Sequence, residues 1–304
     1  MYQTIPGVKK IAVLRANLIG DMVMTMPALH AVRMTYPGAE IVLLGRHWHV
    51  SFFNGRPGPV DRVEVVPYMT GIYEDGGERE DDRETIEAFF GRMRNERFDI
   101  GLQLHGGGRY SNPFMLRLGA RLTAGLRAPE SKPLDRWIPY VYYHSEVLRF
   151  LEAVALIGAA PCCMEPVIAV TDADRAAAGK LLNDFAQPLV VVHPGASDSR
   201  RRWPAEKFAA VADELAADGA QVIITGSMTD RPLTAAVKAA MARKAIDAGG
   251  MLTLNGLTAA LSFASLVIAN DTGPLHLARA VGTPTVGIYW IGNVINAGPI
   301  SVTR

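Results

Sequence analysis

Three short stretches of this chain combine glycine with residues that bind anions or exchange protons. They are the segments 270–276 (NDTGPLH), 193–204 (HPGASDSRRRWP) and 18–21 (LIGD). Each follows a short apolar run and precedes a helical pattern, which predicts a loop at the carboxyl end of a parallel strand. Ligands bind at that edge in open α/β sheets, so these three loops are the candidate functional sites.

The loop at 270–276 has the composition of a diphosphate site. Gly273 lets the backbone approach a ligand closely, and the free N–H groups of a helix start attract phosphate. Thr272 adds a hydroxyl donor and His276 a ring donor, and Asp271 belongs to the same candidate site. The alternative is that Asp271 and Thr272 only cap the helix while His276 packs in the core.

The loop at 193–204 carries a serine at Ser197 and three consecutive arginines that end with Arg201 and Arg202. Guanidinium groups bind phosphate oxygens in pairs and keep their charge. A solvated basic loop is the alternative. However, these cations open a helix, where the dipole disfavours positive charge. We therefore expect Ser197, Arg201 and Arg202 to face an anionic ligand.

Asp21, in the loop at 18–21, follows the first predicted strand. A carboxylate at such a turn acts as a general base if it faces a substrate hydroxyl. It can equally be a helix cap. The residue type and position alone leave both interpretations open.

The elements that must position these loops alternate between strand and helix. Strands are predicted at 11–16, 40–44, 61–66, 99–104, 189–192, 221–225, 266–269 and 285–289. Helices are predicted after Gly20 and at 84–96, 204–218, 230–244 and 273–281, and the stretch 111–160 resembles helices broken by a proline-rich segment. This alternation predicts parallel sheets built from βαβ units.

Length and composition set the broad class. A chain of 304 residues predicts two domains, which we place at 1–165 and 166–304. The net charge of +1 disfavours a nucleic-acid partner. Cys162 and Cys163 are adjacent, which excludes a disulfide framework and a four-cysteine zinc site. The sequence has neither a signal-peptide core nor a long apolar span, which predicts a cytoplasmic protein.

Three strings together resemble a known family. Residues 15–21 with Pro27 and Tyr36-Pro37, residues 193–204, and residues 270–276 with Gly282-Thr-Pro284 resemble the signatures of the family 9 glycosyltransferases. These enzymes are the bacterial ADP-heptose heptosyltransferases. The strings occur in the family's order and span nearly the whole chain.

The resemblance implies a GT-B fold, in which two Rossmann-like parallel-sheet domains face each other across a cleft. It implies an inverting transfer of a sugar from a nucleotide-sugar donor, ADP-heptose, without a metal or another cofactor. Asp21 would be the catalytic base. The donor diphosphate would lie in the C-terminal domain at Thr272, Gly273 and His276. Asp230, after the strand at 221–225, is our candidate for the donor ribose.

The family further implies an anionic glycolipid or saccharide acceptor, such as the lipopolysaccharide core, bound by the N-terminal domain. The predicted acceptor contacts are Arg46, His105 and Arg109, which lie in or near loops there. For each cation singly, a place on the surface without a ligand is the alternative. Such an acceptor also implies peripheral contact with the inner membrane.

Three other functions remain to be weighed. A nucleotide-sugar epimerase of GT-B architecture would need no acceptor. A non-catalytic nucleotide-sugar-binding protein would use Asp21 only as a cap. An NAD-dependent dehydrogenase is disfavoured, because the first strand–helix turn lacks G-x-G-x-x-G.

Overall fold

The computed structural model describes residues 3–73, 80–179, 181 and 186–300. The chain divides into two compact units, Met1–Met164 and Glu165–Arg304. The sequence placed this division between residues 165 and 166. Each unit is built around its own parallel sheet.

The first unit contains strands β1 Lys10–Leu14, β2 Glu40–Gly45, β3 Arg62–Val65, β4 Ile100–Gln103, β5 Leu122–Arg127 and β6 Arg136–Pro139. Its helices are α1 Ile19–Thr35, α2 His47–Phe53, α3 Arg83–Asn95, α4 Ser111–Arg117 and α5 Glu146–Ala155. Within the described residues the sheet has six strands in the order β3-β2-β1-β4-β5-β6. The chain therefore leaves β1 on one side and returns on the other at β4, which opens a gap between the carboxyl ends of these two strands.

The second unit contains strands β7 Leu189–His193, β8 Gln221–Gly226, β9 Ile246–Gly249, β10 Leu266–Asn270 and β11 Thr285–Ile288. Its helices are α6 Asp172–Ala178, α7 Ala205–Ala217, α8 Arg231–Ala240, α9 Leu254–Phe263, α10 Gly273–Ala280 and α11 Ile291–Ala297. The five strands found in the described part run in the order β11-β10-β7-β8-β9. The same kind of gap therefore lies between β7 and β10.

Burial explains why the central strands are apolar on both faces. Ile11 to Leu14 of β1 are fully buried, and Leu189 to Val192 of β7 are at most 3% exposed. Helices cover both faces of such parallel sheets, so neither face of a central strand contacts water and both can be apolar. These rigid central strands fix the loops that follow them.

The sequence predicted helices in 111–160, and α4 and α5 lie there, but the strands β5 and β6 between them were missed. Gly125 weakens the strand pattern of β5. Pro139 weakens that of β6, an edge strand, where proline is tolerated. The edge strand β9 was also missed because it contains Asp247 and a terminal glycine. The helix predicted at 230–244 ends at Ala240.

The buried side chain of His193, at the end of β7, connects this strand to the neighbouring strand β8. Its Nδ1 lies 3.1 Å from the hydroxyl of Thr225 at the end of β8, and the side chain is buried. Burial lowers the pKa of His193 to about 4, although the charge of Asp230 opposes this shift. The folded protein therefore holds this imidazole neutral at pH values where the unfolded chain protonates it.

We expect Gly125→Ala to destabilise the first unit. A Cβ at this position would lie 2.7 Å from Cβ of Gln103 on the neighbouring strand, so the sheet must shift. Urea unfolding should show a loss of about 1–3 kcal/mol. Gly91→Ala is the matched control, because nothing lies within 4 Å of its added Cβ. Equal loss in both variants would contradict the packing argument.

We expect the free energy of unfolding to fall as the pH drops from about 6.5 to about 4, with a contribution from His193. The lowered pKa means that the unfolded chain binds the proton first in this window. His193→Gln should therefore reduce the slope by up to about 1.4 kcal/mol per pH unit, measured by urea titration at several pH values. His47→Gln, on the exposed surface, should keep the wild-type slope. An unchanged slope in His193→Gln would refute this assignment.

Candidate functional site

In the second unit, the predicted diphosphate loops lie on either side of the gap between β7 and β10. The loop after β7 leads through a short turn, Ser199–Arg201, into α7. The loop after β10 leads directly into α10. The topology therefore brings two of the three sequence motifs to one edge of one sheet.

The side chain of Asn270 ties these two loops together. Its Oδ1 accepts a hydrogen bond of 3.0 Å from the backbone N–H of Trp203, and its Nδ2 donates one of 2.8 Å to the carbonyl oxygen of Pro194. Asn270 is fully buried, so both bonds are shielded from water. The sequence motif included Asn270, but nothing in the sequence indicated this bridging role.

Asp271 is a buried carboxylate that organises its neighbours. Its Oδ1 lies 3.1 Å from Nε2 of His276, and its Oδ2 accepts a 2.5 Å hydrogen bond from Asn293 and lies 3.6 Å from Nη1 of Arg201. Burial alone would raise the pKa of Asp271, but the hydrogen bonds from His276 and Asn293 lower it overall. We predicted that Asp271 binds the diphosphate. Its contacts orient His276 and Arg201 within this loop, and its role toward a diphosphate stays a prediction.

The start of α10 offers fewer amide donors than the sequence suggested. Pro274 has no N–H, and the N–H groups of Leu275 and His276 bond to the carbonyl oxygen of Thr272 at 3.0 and 3.4 Å. Within the described residues, the N–H groups of Thr272 and Gly273 have no protein partner. The Thr272 hydroxyl makes no capping bond either. These three donors, at the positive end of the helix, form an anion-binding corner.

Two of the three arginines are held by the loop in which they lie. Arg201 donates from Nη2 to the hydroxyl of Ser197 at 2.9 Å, while its Nη1 faces Asp271. Arg202 donates from Nε to the carbonyl oxygen of Ala196 at 2.9 Å. Ser197 therefore positions Arg201, and both guanidinium groups keep further N–H donors for a ligand.

The third arginine has a different role. Arg200 forms a double hydrogen bond with Asp198, with distances of 3.0 Å from Nε and 2.6 Å from Nη2. This pairing holds the pKa of the Asp198 carboxyl well below its usual range. Both side chains project from the turn that precedes α7, so Arg200 is neutralised locally.

Asp230 lies beside the loop that follows β7. A Cβ added to Gly195 would lie 2.8 Å from Oδ2 of Asp230, so only glycine fits there. The same carboxylate oxygen accepts hydrogen bonds from the backbone and hydroxyl of Ser227, at 2.9 and 2.6 Å. Asp230 therefore closes the turn before α8 at the carboxyl edge of the sheet. Its role toward a ribose stays a prediction.

In the first unit, Asp21 lies at the gap between β1 and β4. Its Oδ2 accepts a 3.2 Å hydrogen bond from the N–H of Leu18, and its Oδ1 lies 3.3 Å from Nη2 of Arg15. Asp21 therefore does cap α1, as the alternative interpretation held. Its side chain is nevertheless 37% exposed, whereas that of Arg15 is 3% exposed. The carboxylate is fixed in direction and open to a substrate, so capping and catalysis are compatible.

His105 does not have the cationic character that we expected of an acceptor contact. Its side chain is 4% exposed, and its Nδ1 accepts a 3.2 Å hydrogen bond from the N–H of Ala16. Burial, together with the charges of Arg15 and Arg46, lowers the pKa of His105 to about 3. This buried imidazole supports the loop after β1, and its role toward an acceptor stays a prediction.

The other two predicted acceptor residues differ in exposure. Arg46 is half-buried, donates from Nε to the carbonyl oxygen of Ala16 and stacks over the ring of Tyr73 at 4.6 Å. Arg109 is exposed and lies 5.5 Å from the ring of Tyr110. Both lie near the carboxyl edge of the first sheet, and of these two Arg109 is the exposed one.

Within the described ranges, no group of three or more His, Cys, Asp or Glu side chains could hold a metal ion. None of the described helices is both long enough and apolar enough to cross a bilayer.

The chain is similar to known glycosyltransferases over most of its length. The model of glycosyltransferase family 9 (heptosyltransferase) matches residues 86–303. The lipopolysaccharide core heptosyltransferase OpsX of Haemophilus influenzae is 22% identical over 96% of this chain and 82% of that protein.

Two solved structures show the same fold. A family 9 glycosyltransferase from Veillonella parvula has a TM-score of 0.79 at 22% identity, covering 96% of this chain and 83% of that one. The E. coli heptosyltransferase WaaC, solved with ADP, has a TM-score of 0.71 at 17% identity, covering 95% and 90%. Two parallel-sheet Rossmann-like units and these likenesses confirm the GT-B fold. The chain belongs to glycosyltransferase family 9, the heptosyltransferase family, and is a glycosyltransferase.

Proposed function

We propose that this glycosyltransferase moves heptose from ADP-heptose to an acidic saccharide of a lipopolysaccharide core. The observation that carries the proposal is the anion-binding corner at Thr272 and Gly273, with Arg201 oriented beside it by Asp271. The family match and the core heptosyltransferase named among the relatives support the sugar and the acceptor class. The similar fold of WaaC, which was solved with ADP, supports the nucleotide.

The donor half of the proposal follows from the negative charge that develops on the diphosphate during transfer. As the sugar leaves, negative charge grows on the diphosphate, and preoriented donors stabilise it more than water does. The N–H groups of Thr272 and Gly273 and the guanidinium groups of Arg201 and Arg202 supply such donors, and His276, whose Nε2 faces Asp271, lies beside them. In this proposal they replace a divalent ion, so transfer needs no metal or cofactor. Asp230 accepts hydrogen bonds from the donor ribose.

In the acceptor half of the proposal, Asp21 is the catalytic base. Its carboxylate takes the proton from an acceptor hydroxyl while that oxygen attacks the anomeric carbon on the face opposite the diphosphate. The bond from the anomeric carbon to the diphosphate oxygen breaks, ADP leaves, and the anomeric configuration inverts. Arg15 and the Leu18 N–H keep the carboxylate oriented for this step.

Acceptor binding is proposed for the exposed cation Arg109, with Arg46 beside it. An acidic core saccharide carries negative charges that such guanidinium groups pair with. An acceptor of this kind is anchored in a membrane, so we also propose peripheral contact of the enzyme with the inner membrane surface.

The direct test is a transfer assay with ADP-heptose and a heptose-deficient core acceptor. We expect ADP and heptosylated product in equal amounts, inversion at the anomeric carbon by NMR, and unchanged rates in EDTA. Release of an altered free sugar without acceptor would favour the epimerase alternative. Donor binding without any turnover would favour a non-catalytic binding protein.

We expect Asp21→Asn to lower kcat by about 10²–10⁴-fold, because the variant cannot accept the proton. The amide oxygen can still accept the hydrogen bond from Leu18, so the fold and the affinity for ADP should persist. Steady-state kinetics and calorimetric titration with ADP measure these two quantities. Loss of ADP binding with intact turnover per bound donor would show that Asp21 is only structural.

We expect Arg201→Gln to weaken ADP binding by about 10- to 100-fold, since a charge-assisted hydrogen bond contributes about 1.5–3 kcal/mol. Arg200→Gln is the matched control, because Arg200 is paired with Asp198 and should change the dissociation constant less than about twofold. Equal effects of the two substitutions would show that general basicity, and not the orientation by Asp271, attracts the nucleotide.

A further inference from the structure

Asp21 shares one nitrogen of Arg15 with a second carboxylate. Nη2 of Arg15 lies 3.3 Å from Oδ1 of Asp21 and 3.4 Å from Oε2 of Glu146. Glu146 is the first residue of α5, and its side chain is 16% exposed. No motif in the sequence pointed to Glu146, because it lies far along the chain from the loop at 18–21.

Glu146 is itself held from its other side. Nη1 of Arg149, one turn further along α5, forms an ion pair with Oε1 of Glu146. Nη2 of Arg149 donates to the carbonyl oxygens of Val141 at 2.5 Å and Tyr142 at 3.0 Å. Arg149 is 1% exposed, so this anchor is part of the core.

The four side chains form a chain of alternating charge: Asp21, Arg15, Glu146 and Arg149. Burial lowers the pKa of Arg149, and the positive charge of Arg15 acts in the same direction. A buried cation without a counter-charge is strongly destabilising. Glu146 lies between the two cations and compensates both.

Other charged or titratable groups also face this cluster. His105, after β4, is buried and its pKa is about 3, and Arg46, before α2, adds a positive charge and binds the carbonyl oxygen of Ala16. On the Arg149 side, the guanidinium carbon lies 4.5 Å from the centre of the Tyr140 ring, and the charge of Glu152 opposes the lowering of the pKa of Arg149. Glu146 therefore competes with Asp21 for Arg15, as the two ion pairs on Nη2 show.

This competition has a direct consequence for catalysis. An opposite charge close to a carboxylate favours its ionised form, and a like charge opposes that effect. If Arg15 had Asp21 as its only carboxylate, the guanidinium group would hold Asp21 more strongly and make it a weaker base. A second carboxylate on the same Nη2 offsets this effect.

We propose that Glu146 is a positioning residue for the transfer reaction: it pairs with the same Nη2 of Arg15 as Asp21 does and so preserves Asp21 as a proton acceptor. The inference rests on the proposed role of Asp21 as the base. Glu146 acts through Arg15 and does not itself contact the substrates in this proposal.

The kinetic test is Glu146→Gln, which removes the charge and keeps the shape. We expect kcat to fall about 3- to 10-fold and the acidic limb of the kcat pH profile to move to lower pH by about half to one unit. The KM for ADP-heptose should not change. Glu146→Asp should restore part of kcat. Glu87→Gln, on α3 of the same unit with a 67% exposed side chain paired with Arg117, is the control and should match the wild type.

A second readout does not depend on turnover. The side-chain carboxyl carbon of Asp21, labelled with ¹³C and assigned through the Asp21→Asn spectrum, should titrate at lower pH in Glu146→Gln than in the wild type. The same midpoint in both proteins would overturn the inference, even if Asp21→Asn is inactive. A shifted midpoint in a protein without transferase activity would instead support the inference and contradict the proposed function.

Discussion

The strand order of each sheet is the constraint on which the candidate site of each unit depends. In each unit the chain leaves its first strand on one side and later returns on the other, at β4 in the first unit and at β10 in the second. The loops that follow these paired strands must diverge, and backbone and side-chain groups are exposed in the gap. Asp21 lies at one gap, and Thr272 with Arg201 lies at the other. Apolar, fully covered strands give these loops a rigid base.

Buried polar groups then determine which functional groups remain available. Asn270 uses both ends of its amide to hold two backbone segments, and Asp271 uses both oxygens to orient a histidine, an asparagine and an arginine. These contacts hold both loops in place. The donors that remain at Thr272, Gly273 and Arg201 are the ones that we propose bind a diphosphate. In the first unit, charged groups satisfy one another within the protein in a similar way, because Arg15 forms ion pairs with two carboxylates.

Much of this arrangement could be predicted from the sequence, because the relevant signals are local. The loops at 18–21, 193–204 and 270–276 follow apolar runs, and strand–helix alternation places such loops at one sheet edge. Strands β5, β6 and β9 were missed because they contain glycine, proline or aspartate, which tertiary packing tolerates at sheet edges and close contacts. The contacts of His105, Asp271 and Glu146 could not be predicted from the sequence either. They depend on burial and on partners distant in sequence, such as Arg15 for Glu146, which residue type and spacing do not reveal.

The central claim is that the Thr272–Gly273 corner, with Arg201 beside it, binds the diphosphate of the donor. A crystal structure of the protein with ADP tests it most directly. We predict diphosphate oxygens within hydrogen-bonding distance of the N–H groups of Thr272 and Gly273 and of the Arg201 guanidinium group. An ADP molecule whose diphosphate lies away from the carboxyl ends of β7 and β10 would contradict the account.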